Sequence, residues 1–217
     1  MVSRLNLQLK RTKLEVLGLL GVVSFLSYLS MVVISPMFYP GYNSMTMAVS
    51  ELSAVSSPSK AIADQLNSLF GPCGLVSIVA VWVSIPHTKP KSFRIGIALF
   101  MAMEWICNVG YSLFPWVSGE SNMYFQNIMH LIVTALVVIL SLSSLIVLAI
   151  SSKKAGLKSL GIIAGISLFI MILGPIGTAL LPPSVFGLFE RFSTFSTVTF
   201  NAVLGLYLFY GKYNIAK

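Results

Sequence analysis

His130 lies within a long apolar run, with Asn127 three residues before it and Thr134 four after, so the three side chains share one face of a helix. Ser50, Glu51 and Ser53 stand together in a polar stretch between two other apolar runs. A neutral imidazole takes up a proton near physiological pH, a serine hydroxyl becomes a nucleophile beside such a base, and a carboxylate orients the pair. His130 as general base, Ser50 or Ser53 as nucleophile and Glu51 as orienting acid therefore compose a hydrolytic set suited to a lipid ester. A second set is suited to binding. Glu104, Asn108 and Tyr111 fall on one helical face, Ser193, Thr197 and Asn201 on another, and Asn67 and Ser77 belong to a third run. Together with Asn127 they could line a polar cavity. The plainer reading is that they satisfy one another through interhelical hydrogen bonds of about 1 kcal/mol or less each. His130 with Glu51 would also serve as a pH-sensitive pair.

The elements that must position these groups are membrane spans. Of the 217 residues, 56% are hydrophobic and only 9% charged, and the mean hydropathy is +0.89. Soluble domains carry roughly a quarter charged residues, so this chain lacks the polar surface to cover itself in water. Six apolar runs are visible: Leu14–Ser35, Leu66–Ile85, Phe93–Leu113, Phe125–Ile150, Ser159–Leu180 and Phe192–Tyr210. Each is long enough to cross a hydrocarbon core of about 30 Å as a helix. None shows the alternation of a barrel strand. The expected fold is all-α, a single six-helix transmembrane domain over residues 1–217. The first run is too long for a signal-peptide core and no small-residue cleavage site follows it, so it reads as an uncleaved first span.

Charge gives an orientation. Arg4, Lys10, Arg11, Lys13, Lys89, Lys91, Arg94, Lys153, Lys154, Lys158, Lys212 and Lys217 fall at one end of the bundle, and Lys60 and Arg191 at the other. The positive-inside rule places the rich end and both termini in the cytoplasm of a multi-pass plasma-membrane protein. The net charge of +8 is thus accounted for by topology and does not point to nucleic acid. Residues 36–65 then form a long external loop. In it, MTMAVSELSA is expected to make a short amphipathic helix, and Ser57-Pro58 to start the next helical segment. A loop of that length in a compact chain usually has a function.

Several chemistries are not supported. No GxxxxGK[ST], HExxH or GxSxG occurs. The two histidines, His87 and His130, sit at opposite ends, so no metal site is expected, and no cofactor either. Cys73 and Cys107 lie in spans and read as packing residues; Trp116 and the other tryptophans read as interfacial anchors or bundle filling. Gly161 and Gly165 have the small-xxx-small spacing of a close helix contact, either within the bundle or in a homo-oligomer. Pro175, after Gly174, is expected to kink the fifth span. No internal repeat suggests an inverted-repeat transporter.

The stretch from Tyr39 to Phe70 carries a resemblance. Tyr39-Pro40, Ser50-Glu51-Leu52-Ser53-Ala54, Ser57-Pro58 and Asn67, followed by Phe114-Pro115 and His130, resemble the prokaryotic membrane family catalogued as domain of unknown function 998. The resemblance implies a six-helix bundle and no particular reaction. Glu104 is not one of its features, whereas Glu51 and His130 are. The functional expectation is an outward-facing polar site that binds a membrane lipid or small solute; a lipid-ester hydrolase built on His130 is the alternative.

Overall fold

The computed structural model describes residues 11–214, so Arg4, Lys10 and Lys217 of the charge count lie outside the described residues. Helices and short turns account for the described chain, with no strand. The helices are α1 (Lys13–Leu17), α2 (Leu19–Ile34), α3 (Lys60–Leu66), α4 (Phe70–Ser84), α5 (Lys91–Leu113), α6 (Phe125–Lys154), α7 (Lys158–Leu180) and α8 (Phe186–Phe209). They make six segments long and apolar enough to cross a membrane, with α1–α2 forming the first and α3–α4 the second. Consecutive spans pack side by side, α8 returns to α2, and α4 touches α8 across the ring. The bundle is closed. Its apolar core centres on Ile97, Phe100, Leu145, Leu160, Phe200 and Leu204, and the Phe100 and Phe200 rings meet edge to face at 5.4 Å.

Closure requires close backbone approach between the first and last spans. A β-carbon added at Gly18 would lie 2.2 Å from the Gly205 carbonyl oxygen, and one added at Gly205 equally close to that of Gly18. The α7–α8 pair is as tight, because a β-carbon at Gly177 would fall 2.0 Å from the Phe189 ring. Gly161 packs inside the bundle, 3.1 Å from the Ala149 carbonyl oxygen by the same measure, while Gly165 has nothing within 4 Å.

Side chains repair each interruption of helical bonding, which lipid would otherwise penalise. Between α3 and α4, Phe70 N–H donates to the Asn67 carbonyl at 3.0 Å, a tighter turn than α-helix. Ser27 Oγ then donates to the Leu66 carbonyl (2.6 Å) and Ser24 Oγ to that of Phe70 (2.7 Å). Pro175 stands inside α7 and has no N–H for the Met171 carbonyl four residues back. Ser193 Oγ from α8 donates to that carbonyl at 3.3 Å.

Three boundaries differ from the sequence reading; the second span takes in α3 and begins at Lys60, which shortens the external loop expected over residues 36–65. The last span begins at Phe186, after a 3₁₀ turn at Pro183–Val185, and so includes the charged pair Glu190-Arg191 that had ended the apolar run at Phe192. The expected loop helix is a 3₁₀ turn at Val49–Ser53. Val49 and Leu52 are buried in a second apolar cluster with Tyr28, Met31 and Val198. The segment is packed on the bundle through these two residues, whose three-residue spacing sets both side chains on one side of a 3₁₀ turn.

The glycine contacts give a paired prediction. Gly205→Ala should lower the thermal midpoint in detergent strongly, by about 1–3 kcal/mol or more of overpacking, whereas Gly165→Ala should leave it unchanged. Equal midpoints for the two variants would contradict the closed packing of α2 against α8.

Candidate functional site

The first loop is bonded to the bundle on two sides, and the candidate residues lie where it docks. On one side stands α8. Arg191 Nη1 donates to the carbonyls of Ser44 (2.8 Å), Met47 (3.0 Å) and Gly187 (2.7 Å), and Nη2 donates to the Tyr42 hydroxyl. That hydroxyl donates to the Ala48 carbonyl at 2.8 Å. Burial pushes the Tyr42 phenol up from its ordinary range, against the opposing effect of Arg191, so it stays a neutral donor at physiological pH. Glu190 Oε2 accepts the Val49 N–H at 2.8 Å. The adjacent acid and base therefore grip backbone from Ser44 to Val49.

On the other side stands the turn after α5. Glu51 Oε1 accepts the indole N–H of Trp116 at 2.9 Å, and its Oε2 accepts the Ser118 hydroxyl. Val55 N–H donates to the Trp116 carbonyl (2.9 Å) and Ser56 Oγ to that of Ser118 (3.1 Å). Asn127, fully buried, holds this turn from α6. Its Oδ1 accepts the Val117 N–H at 3.0 Å, and its Nδ2 donates to the carbonyls of Val117 and Ser121, both at 3.2 Å.

His130 lies beneath that turn, 9% exposed. Its Nδ1 is 2.8 Å from the Phe114 carbonyl oxygen. A carbonyl only accepts, so Nδ1 carries the hydrogen, and in the neutral ring Nε2 keeps the basic lone pair. The ring packs against Tyr111 at 4.8 Å and edge to face with Trp116 at 5.5 Å. Tyr111 and Thr134 hydroxyls meet at 3.0 Å, and Thr134 donates to the His130 carbonyl at 2.9 Å. Trp116 thus touches both candidates: it donates to Glu51 and packs on His130. Among the described residues, neither Ser50 nor Ser53 forms a hydrogen bond with His130. The connection from the loop to the imidazole runs through the indole.

The second set is gathered nearer the middle of the bundle. Glu104 is 3% and Asn201 2% exposed. Asn108 Nδ2 donates to the Glu104 carbonyl at 2.8 Å and lies 3.5 Å from Oε2. Asn201 Nδ2 reaches the Gly74 carbonyl at 3.4 Å, and its Oδ1 is buried without a partner. Gly74 makes the meeting possible. A β-carbon there would lie 2.9 Å from Ser24 Oγ, 3.2 Å from Asn201 Nδ2 and 3.6 Å from Glu104 Oε2, so polar groups of α2, α8 and α5 converge on a glycine of α4. Asn67 has a buried, unpartnered Oδ1 at the α3–α4 break, four residues before Gly71, where a β-carbon would meet Asn108 Oδ1. Thr197 bonds only to carbonyls of its own helix, those of Ser193 (3.3 Å) and Thr194 (3.0 Å).

Sequence reasoning passed over the residues that hold the loop. Arg191 counted only as a topology exception and Trp116 only as an anchor, and Glu190, Ser118 and Ser24 were not singled out. The one available signal was the pair Glu190-Arg191 at the edge of an apolar run, where paired charge is costly unless it has partners.

Residues 22–207 match the family model described as "Protein of unknown function (DUF998)". The match covers most of the chain, and the chain belongs to this family. No curated protein and no solved structure matches it significantly.

The central group yields a test. Glu104→Gln keeps the hydrogen-bonding shape of the side chain and should fold with a thermal midpoint near the parent's. Glu104→Leu removes the buried carboxyl acceptor and leaves the Asn108 and Asn201 amides only their backbone carbonyls, those of Glu104 and Gly74, and should cost about 1–3 kcal/mol. A leucine variant as stable as the parent would show that the amides do not depend on this carboxyl group.

Proposed function

We propose that this protein binds a membrane lipid or small polar solute at the end of the bundle where the first loop docks, against Glu51, Trp116, Tyr111 and His130. The observation that supports this most is the single indole that joins a loop carboxylate to an imidazole of fixed tautomer. Such a group offers acceptors, the Glu51 carboxylate and His130 Nε2, beside aromatic faces. A ligand with a hydroxyl or ammonium head and an apolar body complements it. Asn108, Asn201 and Glu104 extend the polar surface inward, with Asn67, Asn127 and Thr197 around it. In this reading the basic end lies in the cytoplasm, and the docking end faces the outside of the plasma membrane.

A hydrolytic role for the same group is the second reading, and the tautomer of His130 favours it. With Nδ1 held by the Phe114 carbonyl, Nε2 is the nitrogen available as general base. Ser50 or Ser53 would have to move toward it when substrate binds, with Glu51 orienting the charged ring.

One experiment separates the readings. Lipids carried through purification are identified by mass spectrometry for the parent, His130→Ala and Glu51→Gln, and each protein is incubated with a panel of lipid esters. Binding predicts a species present in the parent and at least about tenfold depleted in both variants, with no ester cleaved. Hydrolysis abolished in His130→Ala establishes the second reading. Identical lipid content with no hydrolysis overturns both.

Orientation is tested in intact cells, with Cys73 and Cys107 replaced by alanine. A membrane-impermeant thiol reagent should label Ser121→Cys, which is exposed, and should not label Lys154→Cys, exposed at the opposite end. The reverse pattern would overturn the proposed topology.

A further inference from the structure

A groove of about 490 Å³ lies at the basic end between the start of α7 and the end of α8, far from the docked loop. Leu157, Ile163, Val203 and Leu206 form its apolar wall, and Ser159, Tyr207, Tyr210 and Lys212 its polar mouth. Tyr207 donates its hydroxyl hydrogen to Ser159 Oγ at 2.7 Å, so the Ser159 hydroxyl keeps its own hydrogen to donate outward. Lys158 is the first residue of α7, whose N-terminus has no side-chain cap; it stands between the lining residues Leu157 and Ser159. The Arg11 guanidinium lies over the Phe209 ring, 3.8 Å from its centre and 5.2 Å from that of Tyr210, which puts a third cation beside the rim. Glu15 is the one acidic residue among those described at this end; its Oε2 is taken by the Thr12 N–H at 2.8 Å and its Oε1 lies beside Gly211, so the rim still carries more positive than negative charge.

We propose that this groove is a binding site for one anionic phospholipid, with an acyl chain along the apolar wall and the phosphate held by Lys158, Lys212 and the Ser159 hydroxyl. Charge selects the ligand. Lys212 lines an apolar slot between two membrane spans, with Lys158 and Arg11 beside it, and basic pockets in that position attract anionic head groups. A zwitterionic lipid would fill the slot equally well but would place its own cation among Arg11, Lys158 and Lys212. The site stands independently of the one proposed at the docking end.

The test is a titration of the purified full chain in detergent with phosphatidylglycerol or with phosphatidylcholine of the same acyl chains, read by native mass spectrometry. The parent should bind one phosphatidylglycerol in clear preference to phosphatidylcholine. Lys158→Ala/Lys212→Ala should weaken phosphatidylglycerol binding about twenty-five-fold, about fivefold per lysine. Lys91→Ala/Arg94→Ala removes the same charge at the same end but from α5, and it should stay within about twofold of the parent if the ligand sits in the groove rather than in the general surface potential. Ile163→Trp, which fills the slot, should reduce binding without changing charge; should that variant not fold, the two surface double variants decide. Equal binding of the two lipids, equal losses in the two double variants, or no phosphatidylglycerol adduct on the parent would each overturn the proposal.

Discussion

Arg191 stands near the end of a membrane-spanning helix, where an unpaired guanidinium would be costly. It finds its partners in another part of the chain, on the carbonyls of Ser44 and Met47 and the hydroxyl of Tyr42. Those bonds satisfy the cation and also determine where the first loop lies. With the neighbouring Glu190 on the Val49 N–H, they bring the Ser50–Ser53 segment down onto the bundle, where Val49 and Leu52 are buried. Glu51 then meets Trp116 and Ser118 on the opposite side. Without the α8 grip, a loop of this length would keep much of its chain entropy, and the carboxylate would have no fixed relation to His130.

The same constraint, that a polar group in hydrocarbon must find a partner within the protein, explains the placement of four serines that join helices. Ser24 and Ser27 take up carbonyls at the α3–α4 break, and Ser193 takes up the one that Pro175 cannot serve. Ser196 likewise donates to the Ser167 carbonyl at 2.6 Å, joining α8 to α7. In each case the hydroxyl belongs to a different helix from the carbonyl. An irregularity in one span is therefore also a bond between two spans. Asn127 does the same for the turn that carries Trp116.

The spans were legible in the sequence because six apolar runs of this length, in a chain so poor in charge, are stable as helices in a bilayer and not in water. The polar faces were legible because helical spacing aligns Glu104 with Asn108. Both sets were placed by counting alone. What spacing cannot show is which faces meet. Asn201 reaches the Glu104 region only because Gly74 leaves room for it, and nothing local to any one helix indicates that. The start of the last span was misplaced for a related reason. A hydropathy reading treats Glu190-Arg191 as a boundary, whereas the loop supplies partners that let the helix continue through them. Trp116 was legible as an aromatic near a membrane boundary and illegible as the bridge between Glu51 and His130, since that role depends on a contact between residues 65 positions apart in the chain.

The central claim is that the first loop is a fixed part of the bundle, held from α8 at Val49 and from the α5–α6 turn at Val55. Hydrogen–deuterium exchange of the purified protein, resolved to those two amides, tests it most directly. Both should exchange slower than the amide of exposed Glu120 by on the order of a hundredfold, as expected of backbone donors that open only with the surrounding structure. Exchange of Val49 and Val55 as fast as that of Glu120 would show that the loop is not docked, and Glu51 would then have no fixed place beside Trp116 and His130.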